Sequence, residues 1–118
     1  MIRSGNVTIM TTDFARAIRF YTEVLGFKVA SRVGEEWAEV EIQGLTVGIH
    51  PARSGSSKAA PEALSIGLEV AALEDAMNVL TARGVLFRGE PVDDDMVRLA
   101  FFSDPDGTPL YLCEVKHP

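Results

Sequence analysis

Residues 6–29, NVTIMTTDFARAIRFYTEVLGFKV, contain the pattern that decides the fold of this chain. Asn6–Met10 alternates polar and apolar side chains, which predicts a half-buried strand. Thr12 or Asp13 can then cap a helix that runs to about Val24, because apolar side chains recur there every three to four residues. The chain therefore begins with a strand that is followed at once by an amphipathic helix.

Downstream of this helix the pattern changes to strands alone. Gly26 is placed to end the helix as a C-cap glycine. Three segments with the composition or the alternation of strands follow, separated by short turns: Phe27–Val33, Trp37–Ile42 and Leu45–His50. The first half of the chain is thus predicted to be one βαβββ unit.

The second half repeats this order. Leu64–Val70 alternates as a strand, and residues 72–83 are predicted to form a helix that ends at Gly84. One constant offset aligns the two halves, placing Phe14 on Leu73, Ala17 on Ala76, Ile18 on Met77, Tyr21 on Leu80 and Asn6 on Ser65. Gly26 and Gly84 match once one residue is deleted. An internal repeat of this kind indicates two copies of one unit.

The end of the chain completes the second unit. Val85–Arg88 takes the place of its second strand, and Asp93–Asp95 is predicted to be an acidic loop. Val97–Phe102 and Leu110–Val115 form a closing strand pair, joined by an Asp-Pro-Asp-Gly turn at residues 104–107.

Residues 51–61, PARSGSSKAAP, separate the two predicted units. Their prolines, serines and glycine show no apolar periodicity, which predicts a loop between two halves of one domain. The expected boundaries are about 1–50 for module one, about 51–61 for the loop and about 62–118 for module two. The predicted fold class is α+β.

One helix can cover only one face of a four-stranded sheet, so each unit should have a covered and an uncovered face. The apolar side chains of the first strands should turn towards the helices: Val7, Ile9, Leu64, Ile66, Leu68 and Val70. The same alternation assigns a mixed polar and aromatic set to the other face: Asn6, Thr8, Met10, Trp37, Glu39, Glu41, Thr46, Gly48, His50, Ser65, Gly67, Glu69, Tyr111 and Cys113. Two curved sheets with such faces would enclose a cleft, which is the expected ligand site.

The charge balance limits the class of partner. The formal net charge is −6 and the pI is about 4.8. Nucleic acids and anionic membranes attract basic surfaces, so neither is an expected partner. The single cysteine excludes a disulfide within the chain and is typical of a reducing compartment. Because the sequence shows neither a membrane-spanning apolar run nor a signal peptide, a cytoplasmic location is expected.

Residues 6–29 resemble the opening module of the vicinal-oxygen-chelate superfamily, which includes glyoxalase I, bleomycin-resistance proteins, fosfomycin-resistance thiol transferases and extradiol dioxygenases. The shared features are the strand, the polar turn with Asp13, the helix ending in Phe20-Tyr21, and Leu25-Gly26-Phe27. The ending FFSDPDGTPLYLCEV is similar to the superfamily's last strand pair. The resemblance implies two βαβββ modules in curved mixed sheets around a cleft, and a homodimer. It does not fix the activity, because one scaffold hosts several chemistries.

The resemblance also implies where metal-using members hold their ion. The corresponding positions fall on Asn6, Ser65, Tyr111 and at or near Gly48. An amide, a hydroxyl and a phenol are neutral at pH 7 and cannot neutralise a divalent cation, so neither a cofactor nor a metal ligand is predicted. The alternative is a divalent metal held by an atypical set, His50 with Glu39, Glu41 and Glu69.

These inferences combine into one prediction of function. The protein binds or sequesters a small aromatic or cationic molecule without a metal, through residues assigned to the cleft: Trp37, Glu39, Glu41, His50, Phe101, Tyr111, Asn6 and Ser65. Aromatic side chains supply stacking surfaces, and the glutamates offset positive charge. The alternatives are a lyase or dioxygenase of the same superfamily with an atypical metal site, and a regulatory or structural module with a vestigial cleft. No catalytic residue is assigned.

Overall fold

The computed structural model describes residues 1–52 and 64–116, and the chain forms two compact units, Met1–Ala59 and Ala60–Pro118. Within the described residues each unit contains one four-stranded mixed sheet and one helical segment. The predicted α+β class and the repeated unit are confirmed.

The two units have the same order of elements. The first contains β1 (Val7–Thr11), α1 (Phe14–Arg19), a π-helical turn (Phe20–Val24), β2 (Lys28–Val33), β3 (Trp37–Ile42) and β4 (Leu45–Pro51). The second contains β5 (Ile66–Glu69), α2 (Leu73–Ala82), β6 (Val92–Asp93), β7 (Val97–Ser103) and β8 (Pro109–Val115). The strand orders are β1-β4-β3-β2 and β5-β8-β7-β6, with the first and last strands of each unit parallel and the other pairs antiparallel.

The helix of the first unit changes its hydrogen-bond pattern half-way along. Asp13 caps α1, because its side chain accepts a hydrogen bond from the backbone N–H of Arg16 (3.1 Å). In the π-helical turn the N–H of Leu25 donates to the carbonyl of Phe20 (3.0 Å), five residues back, and Gly26 (φ 88°) ends the segment. The second unit's helix is regular α-helix throughout. The π-helical turn thus accommodates the one extra residue that the alignment of the two halves requires.

Strand alternation gives each sheet a buried and an opposite face. In the first unit the buried side chains of the central strands are fully enclosed: Ala38, Val40, Val47 and Ile49, all at 0% exposure. In the second unit the corresponding side chains are at most 2% exposed: Ala100, Phe102, Leu110 and Leu112. The faces predicted for the central strands are therefore the observed ones.

The outer strands depart from the prediction. Val7 is 42% exposed and Leu64 is 63% exposed, although the sequence predicts that both face the helices. The reason is their position, since Val7 opens an edge strand and Leu64 precedes β5. Val85–Arg88 is not a strand; its place is taken by β6, which begins at Val92 and includes the first residue of the predicted acidic loop, Asp93. The two residues of β6 pair with Leu99 and Arg98 on β7, so the neighbouring strand imposes this short element.

The Asp-Pro-Asp-Gly turn forms as predicted. Asp104 is 5% exposed, and its side chain accepts hydrogen bonds from the N–H groups of Asp106 (2.9 Å) and Thr108 (2.8 Å). Gly107, at φ 89°, donates its N–H to the carbonyl of Asp104 (3.0 Å). The turn lets β7 and β8 pair over their whole length.

Asp93, the last residue of β6, and the following Asp94 stabilise the second unit in their charged form. A hydrogen bond from Lys116 lowers the pKa of the Asp93 carboxyl. Hydrogen bonds from the backbone N–H groups of Val97 (2.9 Å) and Met96 (2.7 Å) lower the pKa of Asp94. Because both folded-state values lie below the ordinary 3.8, the stabilisation is present above that pH and is lost as the pH falls through the lowered values.

The predicted loop starts later than the sequence suggests. Pro51, expected to open the loop, is the last residue of β4, and most of the predicted loop lies outside the described residues.

Neither helix in the described chain has the length and apolar content needed to cross a bilayer.

Candidate functional site

The first unit's sheet carries Trp37 on the face opposite α1, here called the helix-free face. The indole lies over Gly48 of the neighbouring strand: a Cβ added to Gly48 would lie 3.0 Å from Trp37 Cζ3 and closer still to Cη2. Only a residue without a side chain leaves this room. The tryptophan is half-buried, so its ring rests on the backbone of β4 and keeps part of its surface accessible.

Glu39 lies beside this indole and is held by neutral donors. It pairs in register with Gly48 on β4 and with Ser31 on β2. Its Oε1 accepts a hydrogen bond from Ser31 Oγ (3.2 Å), and its Oε2 accepts one from Asn6 Nδ2 (3.4 Å). Thr8 Oγ1 donates to Asn6 Oδ1 (3.1 Å) and so turns the NH₂ group of the amide towards the carboxylate.

Asn6 reaches Glu39 across an intervening strand. Asn6 precedes β1, and β4 lies between β1 and β3 in the sheet. Gly48 of β4 pairs with Thr8 on one side and Glu39 on the other, and the atoms nearest to a Cβ added there belong to Trp37 and Thr8. The glycine therefore makes room for the indole and for the hydroxyl of Thr8, which orients the amide of Asn6.

His50 is half-buried and follows Gly48 at the next position on the helix-free face. Its Nδ1 lies 2.7 Å from the carbonyl oxygen of Pro51. It pairs in register with Met10, which is 52% exposed. This part of the face is therefore bordered by apolar atoms.

Glu41 has different surroundings from Glu39. It is exposed, and it lines an open groove of about 480 Å³ together with Gly26, Lys28, Ile42 and Gln43. Lys28 pairs with Glu41 in register, so a cationic residue lies next to this carboxylate. The groove is at the end of β3 that is distant from Trp37. The two glutamates predicted to act alike are thus placed differently.

The second unit repeats the contact between an aromatic ring and a glycine. Tyr111 lies over Gly67 of the adjacent strand, where an added Cβ would be 2.7 Å from Tyr111 Cε2 and closer to the end of the phenol. Phe101 pairs with Tyr111 across β7 and β8, with ring centroids 6.1 Å apart and an angle of 47° between the planes. Ser65 is exposed just before β5.

The positions that the resemblance associates with a metal have other contacts. The amide of Asn6 is bonded to Glu39 and Thr8, Gly48 offers no side-chain donor, and Tyr111 lies against Gly67. These neutral groups do not fit a divalent cation, which needs anionic or imidazole donors. In residues 1–52 and 64–116 no three His, Cys, Asp or Glu side chains gather where they could hold a metal. The alternative set of His50 with three glutamates is therefore not assembled in this part of the chain.

Ser31 is the residue that the sequence analysis missed. It lies on β2, and it orients the carboxylate of Glu39 from the side opposite to Asn6. The signal was present in the turn between β2 and β3. If Val33 pairs with Trp37 across that turn, then two steps away from the turn along each strand place Ser31 opposite Glu39.

The sequence matches a known protein superfamily. The Glyoxalase/Bleomycin resistance protein/Dioxygenase superfamily matches the sequence over residues 3–112, which is nearly the whole chain. The chain belongs to this superfamily. The resemblance of the opening and closing stretches to glyoxalase and bleomycin-resistance proteins is thereby confirmed. No curated protein matches the sequence significantly.

Solved structures of this superfamily and its fold are similar over the full length. TnmS3, an antibiotic binding protein from Streptomyces sp. CB03234, is 25% identical, with a TM-score of 0.74 over 98% of this chain and 99% of that one. A glyoxalase/bleomycin resistance protein/dioxygenase superfamily member from Sphaerobacter thermophilus is 25% identical, with a TM-score of 0.77 over 97% and 98%. A protein of unknown function from Agrobacterium tumefaciens shares the fold at 24% identity, with a TM-score of 0.79 over 98% and 96%.

Proposed function

We propose that this glyoxalase/bleomycin-resistance-like protein binds a small planar aromatic cation without a metal, on the helix-free face of its first unit. The observation that carries the proposal is the pairing of Glu39 with Gly48. It places a carboxylate next to the one indole of the chain, on the same face of the sheet. An aromatic plane beside an anion is the arrangement that recognises aromatic cations.

The charge of Glu39 supports a cationic ligand. Among the described residues its side chain accepts hydrogen bonds from Asn6 and Ser31, and both donors are neutral. These bonds fix the carboxylate without cancelling its charge, so a ligand cation can supply the missing countercharge. Glu41 is a weaker candidate for this role, because Lys28 lies next to it in register.

The aromatic surfaces support a planar ligand. Trp37 in the first unit and Tyr111 in the second each rest on a glycine, which holds the ring against the sheet before any ligand binds. A ring that is already positioned loses little conformational entropy on binding. TnmS3, which has this fold, is an antibiotic binding protein, and this agrees with a binding function.

Calorimetric titration with three naphthalene derivatives tests the proposal. They share one ring system and differ in the attached group: 2-naphthamidine and N,N,N-trimethyl-2-naphthylammonium are cations, and 2-naphthoate is an anion. We expect both cations to bind at least about tenfold more tightly than the anion, because the carboxylate of Glu39 attracts the first two and repels the third. Dialysis against EDTA should leave these affinities unchanged.

The variant Glu39→Gln should weaken the binding of both cations by about tenfold, since it removes the carboxylate charge that attracts them; for the amidinium it also turns an ionic hydrogen bond into a neutral one. Glu35→Gln is the matched control, because it removes the same charge from the exposed turn between β2 and β3. Equal affinities for cations and anion, or equal effects of the two variants, would contradict the proposal. A loss of binding after EDTA treatment would contradict its metal-independent part.

A further inference from the structure

His50 has a fixed arrangement of its ring proton. Its Nδ1 lies 2.7 Å from the carbonyl oxygen of Pro51, and a carbonyl can only accept a hydrogen bond. Nδ1 therefore carries the hydrogen and donates it. In the neutral imidazole this leaves Nε2 as an acceptor. Within residues 1–52 and 64–116, His50 has no second hydrogen-bond partner for that nitrogen.

The register places His50, which carries this acceptor, next to Trp37 and Glu39. Ala38 pairs with Ile49, so the next step of the antiparallel ladder sets Trp37 opposite His50. Glu39 pairs with Gly48, two residues before His50, which makes Glu39 and His50 diagonal neighbours on one face. Diagonal neighbours of an antiparallel pair are about 7–8 Å apart, within reach of one small ligand group.

The face therefore offers two separate acceptors around one indole. Glu39 accepts through a carboxylate and His50 through the Nε2 lone pair of the imidazole, and the strand neighbour of His50 is the exposed Met10. A quaternary ammonium ion can satisfy the first through its charge but has no hydrogen to give to the second. An amidinium carries N–H bonds on two nitrogens, so one can donate to Glu39 and another to His50.

We propose that His50 Nε2 is a specificity-determining acceptor, which makes this face select aromatic cations that carry N–H donors over aromatic cations that carry none. This inference rests on the proposed function and deepens it. It concerns the class of cation and the residue that distinguishes the classes.

The test compares 2-naphthamidine with N,N,N-trimethyl-2-naphthylammonium by calorimetric titration of the wild type, His50→Phe and His50→Gln. Phenylalanine keeps a ring and removes the acceptor, whereas the glutamine amide oxygen can accept a hydrogen bond. We expect the affinity ratio of amidine to trimethylammonium to fall at least about fivefold in His50→Phe, with little change in the affinity for trimethylammonium. In His50→Gln the ratio should stay within about twofold of the wild-type value.

Each outcome separates this inference from the proposed function. If neither cation binds the wild type, the proposed function fails. If both cations bind and the ratio is the same in wild type and His50→Phe, the role of His50 is wrong while the proposed function stands. If His50→Phe keeps its melting temperature but binds both cations equally less well, His50 shapes the surface without selecting N–H donors, and the inference is overturned.

Discussion

At the scale of single residues, the helix-free face of the first unit depends on Gly48. This residue contributes no chemistry of its own. Its missing side chain lets Trp37 lie on the sheet and leaves room for the hydroxyl of Thr8, which orients the amide of Asn6. Gly67 has the first of these roles in the second unit, where it lies under Tyr111.

The variant Gly48→Ala should therefore displace Trp37. The new Cβ would lie 3.0 Å from Trp37 Cζ3, 2.9 Å from Thr8 Oγ1 and closer still to Trp37 Cη2, and the last two separations are shorter than a Cβ atom tolerates. We expect a destabilisation of about 1–3 kcal/mol and a roughly tenfold loss of affinity for 2-naphthamidine, because the stacking surface moves. Since Trp37 is the only tryptophan, its fluorescence spectrum reports the displacement directly.

Gly5→Ala is the control for this variant, because nothing lies within 4 Å of a Cβ at that position. It should leave stability, fluorescence and binding unchanged. If Gly48→Ala binds 2-naphthamidine like the wild type, the contact between indole and glycine has no part in binding.

Sequence alone predicts which side chains share the helix-free face but not how they are joined. Strand alternation places Trp37, Glu39 and His50 together, because the period of a strand is two residues. It does not show that Asn6 spans an intervening strand, since this depends on the order β1-β4-β3. Sequence alone also does not show how Glu39 and Glu41 differ. The difference arises from the residues that pair with them on β2, which are Ser31 and Lys28.

At the scale of elements, the second helix obtains its N-terminal cap from a distant strand. Ala72 stands at the N-cap position of α2 and has no side chain that could accept a hydrogen bond. Instead the backbone N–H of Leu73 donates to Glu114 Oε1 on β8 (2.6 Å). Arg98 on β7 lies 3.8 Å from the same oxygen and 3.3 Å from Glu74 in the first turn of the helix. The helix start is thus tied to the closing strand pair.

Removing this tie should destabilise the second unit. We expect Glu114→Ala to lower the free energy of unfolding by about 1–2 kcal/mol, because the N–H of the fully buried Leu73 loses its acceptor. Thermal unfolding should show a melting temperature lower by about 3–8 °C. Glu114→Gln retains an acceptor oxygen and should lose less than half as much. Equal losses in both variants would mean that the charge, and not the hydrogen bond, is responsible.

A helix, strand or turn was predictable where the side chains of that segment alone determine its structure. The alternation of β3 and β4, the Asp13 cap and the Asp-Pro-Asp-Gly turn all follow from local sequence, and all are observed. β6 was not predictable, because its two residues form a strand only through pairing with β7. The capping of α2 by Glu114 was also not predictable, since Leu73 and Glu114 are far apart in the chain.

At the scale of the whole molecule, the chain exposes many large apolar side chains. They include Val33 at 62%, Leu86 at 86% and Met96 at 72% exposure. Apolar side chains that join into one patch are often buried by association, whereas single ones are common on monomers. The expectation of self-association comes from the superfamily resemblance, which implies a homodimer.

We therefore expect light scattering coupled to size-exclusion chromatography to give twice the chain mass of 12.8 kDa. Because apolar contacts are largely insensitive to screening by salt, the mass should stay the same between low and moderate ionic strength. Polar substitution at an exposed position of the second unit, such as Leu86→Lys, offers a simple first probe of the contact. A mass of 12.8 kDa at all concentrations tested would rule out the dimer.

The π-helical turn of the first unit has a consequence for how such a chain can diverge after duplication. An insertion in a regular helix turns every later side chain by about 100° and would carry buried residues out of the core. Here the added residue is confined to Phe20–Val24, Tyr21 stays at 0% exposure, and Gly26 still ends the segment. Two copies of one ancestral unit can therefore drift apart in length inside a helix while their strands and turns stay aligned.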